Sequence, residues 1–140
     1  MKNSIDAILC PKSIAIVGAT DRPGSVGLSV FANLLDDGYK GIVYPVNAKA
    51  RSVRSVRAYP TLLDVPDEID LAVIIVPAPA VLSVAEQAAE KEVKGLVVIT
   101  AGFKEIGYDG VVLETSLSRL VKARGIRMIG PNCLGVINTN

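Results

Sequence analysis

Short apolar runs alternate with stretches of helical periodicity along the whole chain. The runs at 13–18, 41–46, 71–76, 95–99 and 126–130 are β-branched or apolar at nearly every position, with little alternation, as strands covered on both faces of a parallel sheet should be. Residues 25–37 place Val30, Phe31, Leu34 and Leu35 on one stripe, and Gly38 follows where a helix usually ends. Residues 80–92 set Val81, Val84, Ala85 and Ala88 against Glu86, Glu90 and Lys91, and residues 110–124 repeat the pattern with Leu113, Leu117, Leu120 and Val121. A helix near 3–9 stopped by Pro11, and a short helical turn within 59–66 between Pro60 and Pro66, complete the predicted elements. This alternation predicts an α/β fold, a Rossmann-like doubly wound parallel sheet of five strands in one domain spanning 1–140. Right-handed crossovers then favour strand order 3-2-1-4-5, with a ligand crevice at the carboxyl ends of the first and fourth strands.

Composition narrows what such a sheet does. With 140 residues and 50% hydrophobic content, one core should bury roughly two-thirds of the unfolded surface. Charged residues make up 21% and the net charge is +1, so no global field draws the chain to nucleic acid or membrane, and any preference for anions must be local. The longest apolar run, 71–76, is too short to span a bilayer, and Asp6 interrupts the apolar core a signal peptide needs, so a soluble cytoplasmic protein is expected. Cys10 and Cys133 sit near opposite ends without metal-ligand spacing and read as reduced thiols. The chain contains no histidine, which removes the commonest general base, the usual zinc ligand and any phosphohistidine. No catalytic and no metal-ligating residue is therefore assigned.

The chemistry lies in the turns. After Ser13-Ile14-Ala15-Ile16-Val17 comes Gly18-Ala19-Thr20-Asp21-Arg22-Pro23-Gly24-Ser25-Val26-Gly27, a strand running into a turn and then a helix, which aims backbone N–H groups at an anion. Gly24 and Gly27 keep the Gly-x-x-Gly half of the dinucleotide fingerprint, but Gly18 lies too far upstream for its first half. No Lys-Ser or Lys-Thr pair follows, so this is not a P-loop. A wide, cation-poor loop remains, whose free N–H groups, with the hydroxyl of Ser25 at an N-cap, suit a diphosphate.

An NAD-binding domain carries an acid at the end of its second strand, about twenty residues beyond the glycines. Here the sequence reads Pro45-Val46-Asn47-Ala48-Lys49, and Arg51, Arg54 and Arg57 follow with no intervening acid. A basic cluster at the adenosine ribose predicts an additional phosphate there, hence NADP or coenzyme A rather than NAD. Beyond the third strand, Val76-Pro77-Ala78-Pro79 predicts a rigid apolar wall poor in N–H donors, suited to an adenine ring or a pantetheine arm. Ile99-Thr100-Ala101-Gly102-Phe103 and Gly130-Pro131-Asn132-Cys133-Leu134-Gly135 follow the fourth and fifth strands, so every one of these turns belongs to one sheet edge.

Taken together and in this order, the five segments resemble the CoA-binding domain of NDP-forming acyl-CoA synthetases. That domain is shared by the α subunit of succinyl-CoA synthetase and the N-terminal region of ADP-forming acetate–CoA ligases, and the first loop is more similar to the latter. The resemblance covers essentially the whole chain. It implies coenzyme A as the cofactor, with Gly18, Ala19, Thr20 and Pro23 framing the first loop and Gly24, Ser25 and Val26 holding phosphates of the ADP moiety. Asn47 and Lys49, with Arg51 in the basic cluster, would face the 3′-phosphorylated adenosine. Pro77, Ala78 and Pro79 would border adenine or pantetheine, and Thr100, Ala101 and Gly102 would line the arm that carries the thiol. Asn132 and Cys133 match the segment leading toward a phosphohistidine domain. Ala48 stands where relatives commonly have proline, and Ser55 where glycine is frequent.

In that family a phosphoryl group passes through a histidine to a carboxylate, and CoA attacks the acyl phosphate. Without histidine, these residues are expected to bind CoA or acyl-CoA without turnover, in company with further ligase domains or subunits, namely the phosphohistidine and ATP-grasp parts. Two other readings are compatible with the residues: a regulatory CoA-binding module, free-standing or attached to an acetyltransferase, and an NADP-binding reductase domain.

Overall fold

The computed structural model describes residues 5–139. Five parallel strands form the sheet: β1 (Ser13–Val17), β2 (Ile42–Val46), β5 (Leu71–Ile74), β6 (Gly95–Val98) and β7 (Arg127–Ile129). A two-stranded antiparallel hairpin, β3 (Ser52–Val53) with β4 (Val56–Arg57), lies apart from it. The helices are α1 (Asp6–Leu9), α2 (Val26–Asp36), α3 (Ala78–Glu90) and α4 (Tyr108–Arg124). Single 3₁₀ turns occur at Leu62–Asp64, within the helical turn predicted for 59–66, and at Lys104–Ile106. Of the helix predicted near 3–9, residues 3 and 4 lie outside the described residues.

Burial explains why these runs became central strands. Every residue of β1, β5 and β6 is buried, and successive side chains alternate between two cores, as the pleat dictates. Ala15, Val17, Ala72, Ile74, Leu96 and Val98 meet Val81, Ala85, Leu117 and Val121 of α3 and α4. Ile14, Ile16, Val73 and Val97 meet Ile8 of α1, Phe31 of α2 and Val53 of the hairpin on the other face. Among the described residues no helix is long and apolar enough to cross a membrane.

The strand order departs from expectation. The sheet runs β2-β1-β5-β6-β7, so the third of the five long strands pairs with β1, Ile14 opposite Leu71 and Val17 opposite Ile74, instead of lying outside β2. Counting the five long strands alone, this is 2-1-3-4-5, not the expected 3-2-1-4-5, and the switch point falls between the first and third strands rather than the first and fourth. The reason is visible at the outer flank of β2. Tyr59 alone pairs there with Val46, its N–H donating to the Pro45 carbonyl at 3.0 Å and its own carbonyl accepting the Asn47 N–H at 2.9 Å. Since the Pro45 carbonyl faces outward, so does its nitrogen, which has no hydrogen to offer a neighbouring strand. A proline on that side makes β2 an edge. The chain therefore closes the hairpin, adds one residue beside β2 and crosses to the far side of β1.

Candidate functional site

Because all five strands point the same way, the turns that follow them emerge along one edge. β1 ends at Val17, and Gly18 takes φ +103 with its α-carbon so near the Ile75 carbonyl that any Cβ would collide with it. Gly27 is equally close to the Gly18 carbonyl, so the first turn of α2 is drawn tightly onto the strand end. Between them, Asp21, Arg22, Pro23 and Gly24 are exposed. Gly24 adopts φ +74 with open space where a side chain would lie. Ser25 caps α2 as predicted: its Oγ accepts the Leu28 N–H at 3.2 Å. That hydroxyl, however, donates its one proton to the Arg22 carbonyl at 2.7 Å, so Ser25 shapes the loop and has no hydrogen left for an anion. Among the described residues, the backbone N–H groups of Gly24, Val26 and Gly27 at the start of the helix are left open. The macrodipole of the eleven-residue α2 adds positive potential at the same place.

The four cations beyond β2 divide into two kinds. Arg54 donates Nη1 to Asp36 Oδ2 at 2.9 Å, and that hydrogen bond first, then the charge of Asp36, raises its pKa above the usual value. Arg57 lies over the Tyr59 ring, 5.6 Å from its centroid. Lys49 and Arg51 are exposed and have no side-chain partner among the described residues. The same holds for the Arg22 side chain, so the first loop is not as poor in cations as expected; the charge is visible in the sequence, its freedom is not. Asn47, expected to face adenosine, is also engaged within the fold. Its Nδ2 donates to the Ala19 carbonyl at 3.0 Å, and its Oδ1 accepts the N–H groups of Lys49 and Ala50, both at 2.9 Å, so it staples the basic turn to the first loop.

Further along the edge the polar groups are already engaged. Pro77, Ala78 and Pro79 do not extend a strand; they open α3, with Pro77 as N-cap and Pro79 in the first turn, where its missing N–H costs nothing. The rigid, donor-poor wall predicted there is thus a helix start. Thr100 Oγ1 donates to the Val76 carbonyl at 2.6 Å, and the Asn132 N–H donates to the Thr100 carbonyl at 3.0 Å. Cys133 Sγ lies 3.3 Å from the Val98 carbonyl. A Cβ on Gly102 would come within 3.1 Å of Ala78 Cβ, which brings the turns after β5 and β6 into contact, while Ala101 is exposed at the rim. Glu105, unnoticed in the sequence, accepts the N–H groups of Gly102 and Phe103; these bonds, with that of its own N–H, hold its carboxyl below the usual glutamate range.

The predicted residues therefore form one continuous chain of contacts: Asn47 to Ala19, Gly18 to Ile75, Thr100 to Val76, Asn132 to Thr100. Open donors and unpaired cations gather at one end of this rim, and turns whose polar groups are bonded within the fold at the other. Such an edge suits an extended ligand with phosphates at one end and a neutral arm at the other.

Comparison with known proteins bears directly on that ligand. A family model described as a CoA binding domain matches residues 12–139. The chain is 40% identical over 140 residues to the α subunit of ADP-forming acetate–CoA ligase I of Pyrococcus furiosus, covering 97% of this chain and 30% of that relative. It is 46% identical over 130 residues to the ADP-forming acetate–CoA ligase of Methanocaldococcus jannaschii, covering 93% of this chain and 18% of that one. Among solved structures, it superimposes with a TM-score of 0.90 at 41% identity on a dinucleotide-forming acetyl-coenzyme A synthetase 1 of Ca. Korarchaeum cryptofilum in complex with phosphate and ADP, covering 96% of this chain and 28% of that chain. The chain thus spans less than a third of the length of each of these relatives.

Proposed function

The chain belongs to the family of CoA binding domains, and from that premise we propose that it holds coenzyme A along the carboxyl edge of its sheet as the CoA-binding domain of an ADP-forming acyl-CoA synthetase. The observation that supports the reading is the pair of anion-ready groups on one rim: open N–H groups at Gly24, Val26 and Gly27, and, one strand away, the side chains of Lys49 and Arg51, which have no partner among the described residues. The first set receives the diphosphate, with Gly18, Ala19, Thr20, Pro23 and Ser25 giving the loop its shape. The second receives the 3′-phosphate, and Asn47 holds its turn in place. Pro77, Ala78 and Pro79 border the neutral part of the ligand, and Thr100, Ala101, Gly102 and Asn132 flank the arm that ends in the thiol.

In the complete reaction the CoA thiol attacks an acyl phosphate, and a histidine elsewhere relays the phosphoryl group. This sequence contains no histidine, so these residues position the nucleophile, and further domains or subunits supply phosphoryl transfer. The cytoplasm is the compartment that goes with this role. Neither the acetyltransferase-associated reading nor the reductase reading is favoured by the relatives found. Calorimetry with CoA, dephospho-CoA and NADPH tests the proposal. CoA should bind more tightly than dephospho-CoA by about 1–3 kcal/mol, the worth of charge-assisted contacts to one phosphate. Binding of NADPH in the absence of any CoA binding would reverse the assignment.

A further inference from the structure

Asp21 is out of place in a loop that receives phosphate. It is exposed, next to Arg22 and close to Gly24, where a carboxylate repels an incoming anion. Its partner is not in the loop at all. Asp21 Oδ1 accepts the backbone N–H of Arg54 at 2.9 Å, from the tip of the β3–β4 hairpin 33 residues on. That tip adopts a conformation its residues disfavour, with φ 46 at Arg54 and φ 63 at Ser55, a two-residue turn made without glycine or asparagine. Something outside the hairpin holds it there. One tie is Asp21, and the Arg54 guanidinium on Asp36 is another.

The segment between Asn47 and Arg54 carries Lys49 and Arg51, whose side chains have no partner among the described residues. Its first end is fixed to the Ala19 carbonyl by Asn47 Nδ2, and its last end to Asp21, two residues further along the same loop. We propose that Asp21 is a positioning residue that braces the basic turn against the phosphate loop, setting the spacing between the site for the diphosphate and the site for the ribose phosphate. Its charge is tolerated in the loop because the hairpin tip takes up the carboxylate. This inference rests on the proposed placement of the 3′-phosphate at Lys49 and Arg51, and it adds that recognition of this group depends on a residue that never touches it.

The test measures dissociation constants of the full chain for CoA and dephospho-CoA, for wild type, Asp21→Ala and Asp21→Asn, with thermal melts to verify folding. Asp21 is exposed and outside both cores, so its removal leaves packing intact. Asp21→Ala should reduce the preference for CoA at least fivefold while dephospho-CoA affinity changes less than twofold. Asp21→Asn keeps an oxygen acceptor and should retain the preference. Equal weakening of both ligands by Asp21→Ala, tightening of both, or an unchanged preference overturns the inference and leaves the ribose-phosphate reading standing. A wild type that binds both ligands alike overturns that reading, and the brace with it.

Discussion

The two ends of the sheet edge carry opposite chemistry on the same scaffold. At the β1–β2 end, among the described residues, the N–H groups of Gly24, Val26 and Gly27 are open and the side chains of Arg22, Lys49 and Arg51 have no partners. At the β6–β7 end, Thr100 is bonded to Val76, Glu105 to Gly102 and Phe103, and Asn132 to Thr100. The helix starts of α2 and α3 both lie on this edge and carry a macrodipole, yet they differ in the donors they leave open. α3 begins with Pro77 and Pro79, which have no N–H, so its start offers little to an anion. On the proposed function, the parallel sheet sets the edge along which CoA would lie, and the open polar groups at each turn would set its direction.

The largest effect expected from breaking this contrast comes from removing the cations. The double variant Lys49→Ala/Arg51→Ala should weaken CoA by about 3 kcal/mol and abolish most of the salt dependence of binding, read by calorimetry at low and high ionic strength. Next comes Gly24→Ala. The new methyl meets nothing, but the left-handed backbone at φ +74 costs an L-residue about 1–2 kcal/mol, so a modest loss of stability should accompany a weaker hold on CoA. On the neutral side, Thr100→Val deletes the bond to the Val76 carbonyl and should lower unfolding free energy by about 1 kcal/mol, leaving the salt dependence of CoA binding unchanged. A change in that salt dependence would mean the two ends are not chemically separate.

The smallest effect is tied to pH. The Glu105 carboxyl is held below its ordinary value in the folded chain, chiefly by the Gly102 and Phe103 N–H groups, so the unfolded state takes up its proton first as pH falls. Its contribution is complete above the unfolded glutamate pKa of roughly 4.3 and disappears as pH drops through the lower folded value. Denaturation of wild type and Glu105→Gln should therefore differ near neutral pH and converge in acid. The protection factors of the Gly102 and Phe103 amides, relative to their intrinsic exchange at each pH, should fall in the wild type over the same range.

Much of this was legible beforehand, for identifiable reasons. The fully apolar runs marked the buried strands, Ser25 announced the cap of α2, and Gly38 its end. The five turns on the edge were named correctly because a parallel sheet leaves them no other place. Strand order was not legible from periodicity, since a two-residue hairpin and a single residue beside β2 leave no periodic trace. One local signal did exist: Pro45, inside a strand, argues for an edge. The prolines at Pro77 and Pro79 read as a stiff turn when they were the first turn of a helix, because both roles ask for the same φ.

Local composition and period were enough to establish a five-stranded α/β sheet and its chemically rich turns, because burial on two faces and helix capping depend on neighbours a few residues apart. Tertiary structure alone decided which strand lies beside β1, and which of several equivalent-looking groups stay free. Lys49 and Arg54 look alike in the sequence; the Lys49 side chain has no partner among the described residues, while the Arg54 guanidinium is bound to Asp36 and its backbone N–H to Asp21. The physical reason is that a donor or a charge acts on a ligand only when nothing in the fold has already satisfied it, and those partners come from 18 and 33 residues away along the chain.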